Sequence, residues 1–537
     1  DQAWAIDRQA ALRIEQGDFQ PAIDALMLDM RRLEHRDADL PSDTWGGFSV
    51  RLADASWRLA RLDDAIHHLD EAERLFRNNS ESRGLGLLIR ARIDVERTER
   101  EEALPRLDTV IEEYPGTSLV LPARLLRTEV LSSLGRHEEA MADYLAIREL
   151  LASAPGRIAD VVDEVLRSLG DRRDTMVAMG DLDQALEYAS VAERIFTDFP
   201  GSMRDDVLDR VAAIHEQAAD EIMARGRAEV VAAAAAAGDE TDPAGILESM
   251  LPASVRAAAQ SHLEQAADGY MRHARRMLSQ PGREAAFLSS LWASAEAYER
   301  AGRPDEAIDA METYLGGGDT DDPRRPEVIF RLARQLEAIG RLGDAAARYR
   351  QVIEEDPRTI GTRAHSPLAR TLLALGRVSE AEDVLLAVVE GRQAGDTVLT
   401  PDAADYHRAL VDLGRLHYEQ SIPRASADPT EAIDDATALD RVRKAIERFD
   451  AALVRDPGAD DAREIRYWLA DSHRRLAELL ADRGGTPGER RTFELSRIAH
   501  LETALAGYVE VIDAWGERDE ALLDRRRRAM LRNAMVN

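Results

Sequence analysis

Apolar side chains recur along this chain at spacings of three and four residues, in blocks that come in pairs. In the block from Pro326 to Pro357, the first predicted helix carries its apolar and small residues on one face: Ile329, Leu332, Ala333 and Leu336. Gly340 then ends that helix, and Pro357 ends the second one. The second helix is marked by Ala345 and Tyr349. The pattern therefore predicts a hairpin of two amphipathic helices.

One short phrase repeats along the chain and predicts further hairpins. In each copy a glycine is followed five residues later by an alanine, and four residues after that by Tyr, Leu, Met or Ala. The copies begin at Gly17, Gly135, Gly180, Gly302, Gly340 and Gly376. Weaker copies have Ala60 or Thr98 at the turn instead of glycine. Glycine favours the left-handed conformation at a helix end, and the small alanine lets the paired helices approach closely.

These residues resemble the tetratricopeptide repeat over most of the chain, and the copies at Gly302, Gly340 and Gly376 are the most specific. The resemblance implies an all-α fold, a right-handed superhelical solenoid whose first helices line a concave groove. It also implies protein–protein binding in that groove, with no catalysis. The phrase RYWLADSH at Arg466 is similar to one in bacterial envelope tetratricopeptide proteins of the outer-membrane-assembly and Tol-associated kinds.

The repeat register predicts four regions. They are an N-terminal array at 1–200, an enlarged degenerate helical unit at 201–281, a C-terminal array at 282–520 and a capping helix at 521–537. A separate linker domain is the alternative for the second region. Two polar insertions in the C-terminal array, at 421–435 and 482–491, are rich in Pro, Gly, Ser and Asp and are predicted to be surface loops.

The composition narrows the classes of partner. The 537 residues include 70 basic and 101 acidic ones, a net charge of −31, which disfavours binding to nucleic acid. Lys444 is the sole lysine, as expected from a GC-rich genome or from adaptation to high salt. The absence of cysteine excludes disulfides and thiolate metal sites, and is compatible with an oxidising compartment. We therefore expect a periplasmic or envelope-associated location rather than a cytoplasmic one.

No stretch is long and apolar enough to span a membrane. The chain begins at Asp1, which leaves room for a preceding signal peptide, lipid anchor, membrane helix or further domain.

The sequence gives no sign of catalysis. It contains no P-loop, Rossmann glycine fingerprint, HExxH or GxSxG motif. His67 and His68 are adjacent and would diverge by about 100° on a helix. His417 and His473 fall where repeat helices usually carry tyrosine, so both are interpreted as packing residues. We expect no enzymatic function, no cofactor and no metal.

The candidate binding residues lie on the predicted first helices. Two positions after the repeated leucine, three consecutive units carry Arg334, Arg370 and Arg415, which we call the arginine strip. Phe330 and Arg331 lie on the same predicted helix face as Arg334. Guanidinium pairs with carboxylate in bidentate fashion, so the strip would hold an acidic peptide or a C-terminal carboxylate. The alternative is that these arginines pair with neighbouring helices and hold the stack together.

A second candidate cluster combines aromatic and basic side chains at Tyr467, Trp468 and Arg474. Trp and Arg are frequent anchors of protein interfaces, but the cluster also suits packing between repeats. Three hypotheses follow. The chain is a scaffold or adaptor for other proteins, a regulatory receptor for a short acidic peptide, or the accessory region of an enzyme whose catalytic part lies outside this sequence.

Overall fold

A computed structural model describes most of the chain. The described residues are 2–35, 40–153, 158–199, 204–236, 250–319, 321–394, 403–422, 434–458, 461–481, 484–516 and 525–536. They form twenty-three α-helices and no strand. The chain divides into two compact units, Asp1–Arg283 and Glu284–Asn537. The fold is an all-α solenoid, as predicted, whereas the four-region division of the sequence stays a prediction.

The first unit consists of twelve helices in its described part. They are α1 (Gln2–Glu15), α2 (Phe19–Glu34), α3 (Ser42–Arg58), α4 (Leu62–Leu75), α5 (Glu81–Glu96), α6 (Arg100–Glu113), α7 (Val120–Ser133), α8 (His137–Ser153), α9 (Ile158–Met179), α10 (Leu182–Asp198), α11 (Val207–Ala236) and α12 (Ala253–Leu278). Each even-numbered helix packs on the odd-numbered helix before it. The odd-numbered helices α1, α3, α5, α7 and α9 also contact one another in succession. These first helices of the hairpins therefore form one continuous face.

The second unit repeats this arrangement over its described residues. Its helices are α13 (Glu284–Arg300), α14 (Pro304–Gly317), α15 (Arg325–Ala338), α16 (Leu342–Glu355), α17 (Ile360–Ala374), α18 (Val378–Ala394), α19 (Ala403–Gln420), α20 (Asp435–Arg455), α21 (Ala462–Ala481), α22 (Pro487–Gly516) and α23 (Arg525–Val536). Here α15, α17, α19 and α21 contact one another in succession. None of the described helices of either unit has the length and apolarity needed to cross a membrane.

The hairpin turns follow the repeated phrase. All six of its glycines have φ between 68° and 84°, in the left-handed region. Ala60 and Thr98 adopt the same conformation, with φ of 58° and 66°. The alanines five residues after the glycines lie at the contact between paired helices and are buried, as Ala307, Ala345 and Ala381 show. The register of the repeat is therefore kept where the glycine is missing.

Gly340→Ala is expected to lower the free energy of unfolding by about 1 kcal/mol, because Gly340 has φ +81° and alanine is strained there. Gly343, three residues later on α16, has open space around its Cα and ordinary helical backbone. Gly343→Ala is therefore the matched control and should stabilise the protein slightly. Urea unfolding of both variants measures the difference, and equal effects would contradict this explanation.

The surface loop predicted at 482–491 is wrong for residues 487–491, because these residues form the first turn of α22. Thr486 and Glu489 make a capping box: the amide of Thr486 donates to Glu489 Oε2 at 2.7 Å, and the amide of Glu489 donates to Thr486 Oγ1 at 3.4 Å. Proline suits the first position of a helix, so Pro487 begins this helix rather than breaking it. Most of the insertion predicted at 421–435 lies outside the described residues.

Candidate functional site

The arginine strip occupies three first helices that contact one another in succession, with Arg334 on α15, Arg370 on α17 and Arg415 on α19. Arg334 and Arg370 both lie close enough to Tyr349 to oppose the rise in its pKa that burial causes. Burial also raises the pKa of Asp412, and the charges of Arg370 and Arg415 oppose that rise. These shared neighbours place the three guanidiniums in order along one face of the second unit.

The three arginines differ in what they bind. Arg334 and Arg370 are exposed, and neither forms a hydrogen bond or an ion pair with any residue in the described part of the chain. Arg415 is half-buried, with its guanidinium 5.5 Å from the centre of the Trp468 ring. Most arginines around the strip behave differently, because they pair with carboxylates. These are Arg325, Arg331, Arg341, Arg350, Arg363 and Arg377.

Asp412 is the acidic residue that lies among the strip arginines. Its Oδ2 is buried and has no hydrogen-bond partner among the described residues. Burial is the main cause of its raised pKa, and the charges of Arg370, Arg415 and Arg408 act against it. Asp412 therefore offsets part of the strip's charge from within, while Arg334 and Arg370 face solvent.

Phe330 and Arg331 take part in the packing of the stack. Phe330 is buried, with its ring centre 5.9 Å from that of Tyr349. Arg331 lies over the Trp292 ring at 4.7 Å. Its guanidinium also bonds three carboxylates on α13 and α15, those of Glu296, Glu299 and Glu327. Pairing with neighbouring helices, the alternative considered for the strip, thus describes Arg331 and not Arg334.

The aromatic cluster around Trp468 is centred on the buried carboxylate of Asp471. Asp471 Oδ1 accepts hydrogen bonds from the Tyr508 hydroxyl at 2.6 Å and from Arg474 Nε at 2.9 Å. Its Oδ2 accepts from the hydroxyl of Tyr418. Tyr467 is buried and belongs to the same core cluster as Tyr508. Tyr467 and Arg474 therefore join α21 to α22, and Trp468 packs 5.4 Å from the ring of Tyr418 on α19.

Two histidine pairs are a feature that the sequence interpretation missed. His215 on α11 and His262 on α12 have their Nδ1 atoms 3.0 Å apart. In the second unit, the Nδ1 atoms of His473 on α21 and His500 on α22 are 2.9 Å apart. His473 is thus paired as well as packed, and His417 is buried with Nε2 3.3 Å from Glu382 Oε1.

The two long hairpins that hold these pairs share further detail. The sequence from His262 reads HLEQAADGY, and that from His500 reads HLETALAGY. In both hairpins the glycine of this phrase faces an alanine three residues before the first histidine. A Cβ atom on Gly269 or on Gly507 would lie 2.9 Å from that alanine's Cβ. The repeated phrase HLExAxxGY was the sequence signal that could have shown both sites.

The described residues include no group of three or more His, Asp, Glu or Cys side chains placed to hold a metal ion. The arginine strip, with its exposed arginines, is a surface that a partner can reach. The Asp471 network and the histidine pairs instead join helices to one another.

Comparison with known proteins concerns the repeats. Residues 336–396 match the family described as tetratricopeptide repeat. Similar solved structures include MamA from Desulfovibrio magneticus RS-1 (17% identity, 43% of this chain and 97% of that one, TM-score 0.26). A second is a Podosopora anserina putative kinesin light chain (18% identity, 38% of this chain and 91% of that one, TM-score 0.28). A third is Naa15/Naa10 bound to HypK-THB (16% identity, 98% of this chain and 83% of that one, TM-score 0.26). No curated protein matches significantly. Residues 336–396 are therefore similar to tetratricopeptide repeats, a fold that serves as a scaffold for protein–protein interaction, and the hairpins on either side of them stack in the same way.

Proposed function

We propose that this chain is a non-enzymatic scaffold for partner proteins, and that its second unit binds an acidic segment of one partner along the arginine strip. The observation that carries the proposal is the exposure of Arg334 and Arg370 without a hydrogen-bond or ion-pair partner among the described residues. In a protein of net charge −31, two such neighbouring guanidiniums form a local attraction for carboxylates. Tetratricopeptide-repeat proteins are generally scaffolds without catalytic activity.

The spacing of the helices defines the ligand further. Packed helices lie about 8–10 Å apart, and an extended peptide advances about 3.3–3.6 Å per residue. Arg334 and Arg370 stand on neighbouring helices, so carboxylates about three residues apart would reach both. Each would form a charge-assisted hydrogen bond with a guanidinium that makes no hydrogen bond or ion pair with the described residues. We place this scaffold in a bacterial envelope complex, an assignment supported by the RYWLADSH phrase and the cysteine-free composition.

Changing all three strip arginines to glutamate should weaken binding of a fluorescein-labelled hexaglutamate peptide by roughly a hundredfold, because each position changes from attraction to repulsion. Fluorescence anisotropy at 50 and 300 mM salt measures the affinity, which should fall with salt for the original protein. Arg358→Glu is the control. Arg358 is exposed in the loop before α17, so its change to glutamate equals the charge change at one strip position but lies away from the first helices.

A double variant, Arg334→Glu with Arg370→Glu, leaves Arg415 on Trp468 and keeps the test valid if the triple variant folds poorly. Binding should still fall at least tenfold in the double variant. If the folded double variant keeps its affinity, or if Arg358→Glu reduces it equally, the strip does not bind acidic segments.

A further inference from the structure

The first helices of the first unit also form a groove. A cavity of about 830 Å³ lies on the face formed by α3, α5, α7 and α9. Half-buried apolar side chains form much of its lining, among them Trp57, Leu121, Leu125 and Val161. Leu121, Leu125 and Val161 also pack against the core beneath, so this apolar surface is held in place.

Arg92 on α5 lies in this groove beside an aromatic ring. Its guanidinium is 5.0 Å from the centre of the Trp57 ring, and Trp57 is fixed by a 2.7 Å hydrogen bond from Nε1 to Glu96. Arg92 is half-buried, yet it makes no hydrogen bond and no ion pair with any residue that the structure describes. Burial lowers the pKa of Arg92, and the charges of Asp54 and Glu164 oppose this decrease only in part.

A second guanidinium lies at the other side of the groove. Arg172 on α9 is half-buried, and its Nε is buried without a hydrogen-bond partner among the described residues. Its ion pair with Glu129 is long, with 4.0 Å between Nη2 and Oε1. A buried donor without an acceptor costs free energy, so an incoming carboxylate would be favoured at this position as well.

The groove also carries four carboxylates, and their position matters. Glu96, Glu129, Glu164 and Asp171 line it but are all exposed. Arg167 lines the groove and is exposed too, whereas Arg92 and Arg172 are half-buried, so these two cations lie deeper in the groove than its carboxylates. Such a surface repels a densely acidic peptide, while it accepts carboxylates that reach inside between apolar side chains.

We infer that this groove is a docking site for an apolar, extended segment of a partner protein that has one carboxylate at each end. One carboxylate pairs with Arg92 and the other with Arg172, and the apolar side chains between them cover Leu121, Leu125 and Val161. This ligand differs from the acidic segment proposed for the arginine strip. The inference does not rest on that proposal.

The helix arrangement sets the distance between the two carboxylates. Helices α5 and α7 contact each other, and so do α7 and α9. With about 8–10 Å between packed helices, α5 and α9 are roughly 16–20 Å apart. An extended chain covers this distance in about five or six residues. A segment with two acidic residues about six positions apart therefore fits, and one with a spacing of three does not.

Fluorescence anisotropy with the full chain tests this ligand. The probe is a fluorescein-labelled peptide with two aspartates six positions apart and leucine, valine and serine between them. Arg92→Met and Arg172→Met should each weaken its binding by roughly tenfold, because each removes one charge-assisted pair. Replacing both aspartates of the probe by asparagine, or moving them to a spacing of three, should have at least the same effect.

The control variant is Arg90→Met on the same helix. Arg90 Nη1 donates to Asp70 on α4 at 2.8 Å, and this residue does not line the groove. The Arg90→Met variant should bind the probe with the affinity of the original protein, and so should the strip variant Arg334→Glu/Arg370→Glu. Arg92→Lys keeps the charge and should retain most of the affinity.

Three results would overturn the inference. They are equal binding of the asparagine probe, unchanged affinity in Arg92→Met, and an equal loss in Arg90→Met. A dimer that sedimentation detects and Arg92→Met dissociates would assign the groove to a second copy of the chain instead. Circular dichroism confirms folding, and Arg92→Met should fold because Arg92 makes no ion pair with the described residues.

Discussion

Asp471→Ala is expected to lower the free energy of unfolding of the second unit by about 3–5 kcal/mol. The buried carboxylate of Asp471 accepts hydrogen bonds from Tyr418, Tyr508 and Arg474, which stand on three helices. Removing it leaves two tyrosine hydroxyls and a guanidinium to find other acceptors in a site from which water is largely excluded. Urea unfolding followed by circular dichroism at 222 nm measures the loss.

Two further variants test whether the loss of stability in Asp471→Ala comes from this hydrogen-bond network. Asp471→Asn retains an acceptor oxygen and should cost less than Asp471→Ala. Asp440→Ala removes an exposed carboxylate that pairs with Lys444 at 2.8 Å, and should change stability by less than about 0.5 kcal/mol. A loss in Asp471→Ala no larger than that in Asp440→Ala would show that the buried network contributes little.

The turns and cores of the hairpins could be predicted from sequence because they depend on local residue properties. Gly340 requires the left-handed backbone that glycine favours, and Ala345 must be small where two helices meet. Both properties recur at a fixed spacing. The hairpins at Ala60 and Thr98 show that tertiary packing can impose the same turn on a less suitable residue.

The partners of the arginines could not be predicted in this way. Arg331 and Arg334 lie three residues apart on one helix, yet the first bonds three carboxylates and the second bonds none that the structure describes. The difference comes from Glu296 and Glu299 on α13, so it depends on how neighbouring helices pack. The repeat register shows which arginines can share a face of the stack. The packing of neighbouring helices determines which of them are paired with carboxylates.

The histidine pairs were missed for another reason. The phrase HLExAxxGY occurs twice, 238 residues apart, and lies outside the glycine-to-alanine phrase that defines the hairpins. Its glycine permits close helix approach, and its histidine then meets one on the facing helix. The two units thus each contain a long hairpin with the same internal contacts. A search for any repeated phrase, not only for tetratricopeptide signatures, would have found it.

The geometry of the pairs indicates a hydrogen bond between neutral imidazoles. In the pair His215–His262 the ring centres are 5.3 Å apart and the Nδ1 atoms 3.0 Å apart, so the nitrogens lie nearly on the line between the centres. The pair His473–His500 has the same form, with 5.1 and 2.9 Å. In each pair one Nδ1–H donates and the other Nδ1 accepts. Protonation of both rings would place a hydrogen on both nitrogens and end the bond.

The charges around the pairs do not favour protonation strongly enough to offset burial. Burial, followed by the partner imidazole, lowers the pKa of His215 to about 4, and the same causes lower that of His473 to about 4. The pKa values of His262 and His500 are lowered too. Glu193 and Asp183 on α10 act in the opposite direction in the first pair, whereas Arg272 and Arg443 add to the decrease.

Acid is therefore expected to destabilise both long hairpins before carboxylates titrate. An unfolded histidine binds its proton near pH 6.5, whereas folded His215 and His473 each have a pKa of about 4. The unfolded state thus binds more protons in this window, so stability is complete above pH 6.5 and is lost as the pH falls toward 4. Between pH 7.5 and 5.0 the loss should be on the order of 1–2 kcal/mol for each pair, after allowance for solvent screening.

The double variant His473→Gln/His500→Gln separates this effect from general acid sensitivity. Glutamine can donate and accept a hydrogen bond but does not titrate, so the loss of stability between pH 7.5 and 5.0 should shrink by the contribution of one pair. His67→Gln removes an exposed histidine on α4 and should keep the full loss. Urea unfolding at both pH values gives the comparison. If the double variant loses as much stability as the original protein, the paired imidazoles do not set its acid response.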